Sequence, residues 1–140
     1  MSEPFRPRIR VRISDLDTNG HARGPAYLEY ADQARWECVR AAGVDLEVLA
    51  ARRLGPVNLE TRIRFLHELR AGDEVVVSSR FEYGTGKSSR VAQQLALVDG
   101  TPVAEVTSVS GLLDLERRRL VEHPAEELRT LAKRPELLGL

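Results

Sequence analysis

The chain has 140 residues, a one-domain length, and its 42% hydrophobic and 30% charged residues are typical of a folded, not a disordered, protein. Its 21 Lys and Arg balance 21 Asp and Glu, so no excess of positive charge favours nucleic acid or an anionic membrane. One cysteine excludes an internal disulfide and a zinc site built on thiolates. The chain lacks a membrane-length apolar run, and MSEPFRPRIR at its start has no signal core, so we expect one cytoplasmic domain over 1–140.

The first element in chain order is a strand. Residues 8–14, RIRVRIS, alternate apolar side chains with arginines, and this period of two predicts a strand with one buried face. Residues 15–25, DLDTNGHARGP, hold two glycines and a proline among polar side chains. Such a stretch is typical of a loop.

A long helix follows this loop. Pro25 suits the start of a helix, where its missing N–H costs nothing, and Gly43 suits the residue just past the end. Small and apolar residues recur between them at steps of three and four: Tyr27, Ala31, Ala34, Cys38 and Ala41. Because most of these side chains are small, a sheet can approach and wrap this helix.

The remaining residues are predicted to be mostly strand. The expected elements are a short helix at 45–53, strands at 56–66, 74–83, 88–98 and 102–115, and a terminal helix at 126–133. Short turns separate the strands, including an Asp-Gly hairpin signal at 99–100. We therefore expect an antiparallel meander of four strands and an α+β fold, not a doubly wound one.

Functional groups are concentrated in the loop ahead of the long helix. They are Asp15, Asp17, Asn19, His21 and Arg23. The first N–H groups of a helix have no intrahelical partner, and the helix dipole adds positive potential there, so a helix start can polarise a carbonyl. A nearby carboxylate could attack that carbonyl or activate water. The pattern fits an acyl-transfer site, although acidic, Asn/Gly-rich loops are also ordinary turns and caps.

The same residues resemble a known family. SDLDTNGHARGPAYLEYADQARWE is similar to the opening motif of hotdog-fold thioesterases of the 4-hydroxybenzoyl-CoA thioesterase-like group. SDLDTNGH also resembles a stretch of the acyl-carrier-protein thioesterases. The similarity continues in register through PVNLETRIRFLHELRAGDEVVV, GKSSRVAQQLAL, VAEVTSVSGLLDL and VEHPAEELR, so it covers essentially the whole chain.

The resemblance implies a single hotdog domain, in which an antiparallel sheet wraps one long helix. It further implies hydrolysis of an acyl-CoA or acyl-carrier-protein thioester without a metal or other cofactor, in a homodimer or homotetramer. The alternative is a non-hydrolytic hotdog protein that binds an acyl or aromatic ligand or hands it on in a biosynthetic pathway. A dehydratase or hydratase is a third and less favoured hypothesis, because no separate Asp–His dyad is placed for proton transfer.

The resemblance assigns roles within the loop. Asp17 matches the catalytic carboxylate, either as nucleophile or as general base. Asn19 and His21 match an assisting polar pair, although an Asn-Gly turn and a loop-fixing histidine explain them equally well. Gly24 lies where the family uses a backbone N–H to polarise the thioester carbonyl. Residues 22–24, Ala-Arg-Gly, replace the family's usual Val-Asn-Asn, so two side-chain amides are missing here.

Further residues match the substrate-binding positions of the family. Tyr27 lies in the helical part of the motif. Gly86, Lys87 and Ser88 match a turn that contacts the nucleotide or pantetheine arm in CoA-using members, the alternative being a solvated hairpin tip. We expect Asp15 to be a turn or hydrogen-bonding residue. Three other side chains are expected to have no catalytic role and to lie in the core, at the surface or in turns: Cys38, His67 and His123.

Overall fold

The computed structural model describes residues 5–140, so the first four residues of the predicted domain lie outside the described range. Its elements are β1 Arg8–Arg10, α1 Gly24–Ala41, α2 Leu46–Ala51, β2 Leu54–Phe65, β3 Glu74–Tyr83, β4 Ser88–Leu97, β5 Pro102–Asp114, β6 Arg119–Leu120 and α3 Pro124–Leu131. Two 3₁₀ turns add Ile13–Asp15 and Pro135–Leu138. The predicted long helix and the four long strands are confirmed to within a few residues at each end, and β6 is an addition.

All strands pair antiparallel in one sheet of order β1-β3-β4-β5-β2, with β6 extending from β5. This confirms the α+β class and the sheet around a long helix. The expected meander holds for β3, β4 and β5 but is wrong for β2, which pairs with β5 and not with β3. β2 does not pair with β3 because the connection between them, residues 66–73, leads the chain away from β2. The predicted turn at 71–73 is present, with the Asp73 N–H donating to the Arg70 carbonyl at 3.1 Å. Before that turn the connection crosses beneath the helix start and buries Leu69, whose carbonyl accepts the Ala22 N–H at 2.8 Å.

The small-residue stripe of α1 packs against the concave face of the sheet. Ala26, Ala31 and Ala34 are buried in one cluster with valines and leucines of β3, β4 and β5. Small side chains let the strands approach the helix backbone closely enough for a polar contact, in which buried Gln93 of β4 donates to the Ala31 carbonyl at 2.8 Å. The axis of α1 is therefore fixed relative to the sheet.

The first strand is shorter than predicted. β1 ends at Arg10, and Ile13, expected on its buried face, is 82% exposed in a 3₁₀ turn. The Arg12 N–H donates to the Asp15 carboxylate at 3.0 Å. A side chain thus takes a backbone donor, and this local bond turns the chain where the alternating pattern alone predicts an extended strand.

Asp15 is the most deeply buried charged residue of the described chain, with 1% of its surface exposed. Tyr30 of α1 donates its hydroxyl to Asp15 Oδ2 at 2.8 Å, and the Arg12 guanidinium reaches Oδ1 at 3.2 Å. Burial by itself would raise the pKa of Asp15. The hydrogen bonds from the Arg12 N–H, the Tyr30 hydroxyl and the guanidinium outweigh burial, so the pKa lies below its usual value. The expected hydrogen-bonding role of Asp15 is confirmed.

We predict that Asp15→Asn lowers the free energy of unfolding by about 1–3 kcal/mol at pH 7, because it weakens buried hydrogen bonds to a charged acceptor. The folded pKa of Asp15 lies below the unfolded value of 3.8, so its contribution is present above that pH and is lost as pH falls through the folded pKa. Urea unfolding should show the gap between the two proteins narrowing below pH 4. A gap of constant size would contradict this account, and Tyr30→Phe, which removes one donor only, should cost less.

Candidate active site

The loop between β1 and α1 is ordered by its own backbone. Leu16 and Ala22 form an antiparallel bridge, and the Asp17 N–H donates to the His21 carbonyl at 2.7 Å. Gly20 has a φ of 78°, a left-handed conformation that favours glycine. The loop is thus a small hairpin with Asp17 at its base.

Asp17 is exposed and anchors this hairpin. Its Oδ1 accepts the N–H of Asn19 at 2.8 Å and that of His21 at 3.2 Å. The His21 N–H, followed by the Asn19 N–H, lowers the pKa of Asp17, which keeps the carboxylate ionised at neutral pH. Within residues 5–140, Oδ2 makes no hydrogen bond. One carboxylate oxygen therefore holds the loop while the other is available for chemistry.

The start of α1 offers a free donor beside this loop. Arg23 precedes the helix in an extended conformation, with φ −62° and ψ 149°, and its side chain does not cap it. The Gly24 N–H has no acceptor in the described part of the chain, and Pro25 has no N–H. This end of the helix therefore combines an unpaired N–H with the positive end of the helix dipole.

Asn19 and His21 differ in their surroundings. Asn19 is exposed, whereas the His21 ring is half-buried and its Nε2 lies 2.7 Å from Glu68 Oε2. The His21 side chain thus connects the loop to the 66–73 connection, and within residues 5–140 it makes no hydrogen bond to the Asp17 carboxylate. Glu68 was not predicted as a site residue. It lies far along the chain from His21, and only the unpredicted crossing of the connection brings the two together.

Tyr27 is buried on the inner face of α1. Its hydroxyl donates to the His67 carbonyl at 3.1 Å, and its ring meets Phe65 edge-on with centroids 5.1 Å apart. Burial raises the pKa of Tyr27, so the hydroxyl stays protonated as a donor. Tyr27 forms part of the wall behind the helix start, where Phe65 also lies against Gly24.

The predicted nucleotide-contacting turn lies far from the Asp17 loop of the same chain. Gly86, Lys87 and Ser88 are exposed at the tip between β3 and β4. The opposite end of β3 pairs with β1 near the Asp17 loop, and the ten residues of β3 span roughly 30 Å. A single chain therefore does not bring Lys87 to Asp17.

The side chains expected to be non-catalytic are confirmed in their positions. Cys38 is buried, its Sγ lies 3.4 Å from the Leu137 carbonyl, and burial raises its pKa to about 11. His67 and His123 are exposed. No three His, Cys, Asp or Glu side chains gather into a possible metal site among residues 5–140. Over the same residues, no helix is both long and apolar enough to cross a membrane.

Comparison with known proteins gives matches over most of the chain. The model of the thioesterase-like superfamily matches residues 11–131. The acyl-acyl carrier protein thioesterase ATL3 of Arabidopsis thaliana, described as chloroplastic, is 27% identical over 120 residues, which are 84% of this chain and 63% of that protein. This chain therefore spans less than two thirds of that relative. The long-chain acyl-CoA thioesterase FadM of Escherichia coli is 24% identical over 113 residues, covering 80% of this chain and 85% of FadM.

Solved structures share the fold. The hypothetical protein SAV2348 from Staphylococcus aureus, solved in complex with CoA, superposes with a TM-score of 0.83 at 20% identity. The match covers 92% of this chain and 81% of that one. At this identity the likeness establishes the hotdog arrangement of sheet and helix and nothing finer.

Proposed function

The chain belongs to the thioesterase-like superfamily, and from this premise we propose that it hydrolyses the thioester of an acyl group carried on CoA or acyl carrier protein. The names of the two relatives, one an acyl-carrier-protein thioesterase and the other an acyl-CoA thioesterase, support both carriers. One observation carries the proposal. An ionised carboxylate, Asp17, stands in the loop that leads directly into a helix start with an unpaired Gly24 N–H.

In the proposed reaction, the thioester oxygen accepts a hydrogen bond from the Gly24 N–H. This donor and the helix dipole stabilise the negative charge that develops on the oxygen. Asp17 Oδ2 then either attacks the carbonyl carbon, forming a mixed anhydride that water cleaves, or takes a proton from an attacking water. In both routes the carbon–sulfur bond breaks and the thiolate leaves, to be protonated from solvent.

We assign positioning roles to the residues that hold Asp17. The N–H groups of Asn19 and His21 fix its Oδ1, which orients Oδ2. The His21–Glu68 contact at 2.7 Å links the loop to the connection that also contacts Tyr27. Preorganisation of this kind lowers the cost of reaching the reactive geometry.

We predict that Asp17→Asn lowers kcat by at least about a hundredfold, because an amide is neither nucleophile nor base. The amide oxygen can still accept the two loop N–H groups, so the fold should persist. Asp99→Asn is the matched control, since exposed Asp99 likewise accepts a backbone N–H, from Thr101 at 2.9 Å, and has a lowered pKa for that reason. Thiol release should be normal in the control. More than about a tenth of wild-type kcat in Asp17→Asn, a loss under ~1.4 kcal/mol, would remove Asp17 from the mechanism.

A proline at position 24 would remove the Gly24 donor. Proline is accepted at the first helical position, and the extended Arg23 already has the conformation that a residue before proline adopts. Gly24→Pro should lower kcat by about 10²–10³, the cost of one oxyanion donor, relative to Gly24→Ala, which likewise puts a side chain on the helical residue before Pro25. Gly24→Ala keeps the N–H, and its Cβ would lie an ordinary 3.6 Å from the Phe65 ring. Equal activity of the two variants would exclude the Gly24 N–H as the donor.

We further propose that the enzyme is a homodimer paired along β2. The outer edge of this twelve-residue strand pairs with no strand among residues 5–140, whereas the other edge strand, β1, is only three residues long. Leu59 and Phe65 on β2 are more than half exposed. A long, free edge with apolar side chains favours pairing with a second strand.

Antiparallel pairing of two β2 strands would complete the site. Phe65, at one end of β2, lies beside Gly24. Pro56, at the other end, lines the same cavity as Tyr83 and Ser89, which flank the β3–β4 turn. The Asp17 loop of one chain would thus approach the Lys87 turn of its partner, where Lys87 could bind a CoA phosphate.

A shared site predicts complementation between two defective chains. Asp17→Asn removes the chemistry, and Lys87→Glu should raise the KM for acyl-CoA by repelling its phosphates, an effect that added salt weakens. Random pairing of equal amounts should restore about a quarter of the wild-type sites, since half the dimers are mixed and each has one intact site. If activity after confirmed subunit exchange is only half that of Lys87→Glu alone, each chain holds a complete site. Sedimentation should show a dimer throughout.

A further inference from the structure

The cavity that Pro56, Tyr83 and Ser89 line lies at the far end of the long helix. It has a volume of about 260 Å³, is open to solvent on one side, and is bordered by the C-terminal half of α1, the concave face of the sheet, α2 and α3. Its wall is mostly apolar, and includes Trp36, Val39, Leu49, Phe81, Val91 and Leu128. None of the predicted site residues lines it. Arg35, on its wall, lies eleven residues beyond Gly24, which is about 16 Å along a helix.

One cation projects into this apolar setting. Arg35 is half-buried, and its guanidinium donates to the Asn58 side-chain oxygen at 2.7 Å and to the Ser110 hydroxyl at 3.2 Å. Both acceptors are neutral. No carboxylate of the described residues lies within 4.0 Å of the guanidinium. Burial lowers the pKa of Arg35, while the negative charge of Asp32 opposes that change.

This arrangement has a free-energy cost that an anion would relieve. A guanidinium partly removed from water without a counter-ion in contact with it is unfavourable. Its planar fork of donors matches a carboxylate, which can accept two parallel N–H bonds. Asn58 and Ser110 hold the guanidinium in place from one side, so its orientation does not have to be fixed when a ligand arrives.

We propose that this cavity binds a carboxylate attached to an apolar chain, with the chain among the aromatic and aliphatic side chains and the carboxylate on Arg35. Two sources share this chemistry: a free alkyl carboxylic acid, and the distal carboxylate of a dicarboxylic acyl group that is still attached to its carrier. Binding at this site depends on the cavity and on Arg35, and it does not depend on whether Asp17 hydrolyses thioesters.

Trp36 gives a direct readout, because it is the single tryptophan of the chain and it lines the cavity. In the wild-type protein, the change in Trp36 fluorescence should saturate as decanoate is added. Methyl decanoate, which has the same chain without the charge, should bind at least about tenfold more weakly, as expected for loss of a charge-assisted hydrogen bond.

Three variants test the role of Arg35. Arg35→Met should abolish the preference for decanoate over its methyl ester. Arg40→Met, an exposed arginine on the same helix, is the matched control and should keep that preference. Asp32→Asn should tighten decanoate binding severalfold, because Asp32 also lines the cavity and its charge repels the ligand. The ester comparison and Asp32→Asn need no change at Arg35, so they stand even if Arg35→Met fails to fold.

The two possible sources of the carboxylate can be distinguished with the Asp17→Asn variant, because the experiment measures binding and does not require hydrolysis of the thioester. If the distal carboxylate is the ligand, the CoA ester of decanedioic acid should bind more tightly than that of decanoic acid, and this difference should depend on Arg35. If the free acid is the ligand, the two esters should bind alike while decanoate still binds. Equal affinity for decanoate and methyl decanoate in the wild type, or unchanged decanoate affinity in Arg35→Met, would overturn the proposal and leave Arg35 as a tie between α1 and the sheet.

Discussion

The buried hydrogen bond between Tyr30 and Asp15, at 2.8 Å, is the contact on which the candidate site depends. It joins the start of the loop to the second turn of α1. The Asp15 carbonyl also accepts the Arg23 N–H at 2.8 Å, which ties the end of the loop to its beginning. Asp17 follows Asp15 by two residues and Gly24 follows Arg23 directly. The carboxylate and the helix start are therefore held together before any substrate arrives, as electrostatic preorganisation requires.

The core extends this constraint along the helix. Alanines on α1 allow close contact with the sheet, and the bond from Gln93 to the Ala31 carbonyl fixes its axis. One rigid helix thus presents the Gly24 N–H at its start and the Arg35 guanidinium three turns later. Two different environments, an exposed loop at one end and an apolar cavity at the other, arise from a single element.

Local patterns in the sequence account for much of this architecture. Period-two runs and turn residues located the long strands, and the small-residue stripe located α1. Patterns within a segment carry no information about which edge a strand joins, so the pairing of β2 with β5 was missed. Alternation continued beyond residue 14 would place Asp15 and Asp17 on the same side, and the turn begun by Arg12 separates buried Asp15 from exposed Asp17. The partners Glu68 and Asn58 come from distant segments, and no local signal indicates them.

Thioester hydrolysis itself is tested most directly by measuring the free thiol that the wild-type protein releases from acyl thioesters. A panel of acyl-CoA thioesters of increasing chain length, with the matching acyl carrier protein thioesters, can be followed with a thiol-detecting reagent, and buried Cys38 with its raised pKa should contribute little background. We expect continuous turnover of at least one member of the panel. Saturable binding of acyl thioesters with no thiol released beyond the uncatalysed rate would contradict it, and would identify the chain as a protein that binds or hands on its ligand.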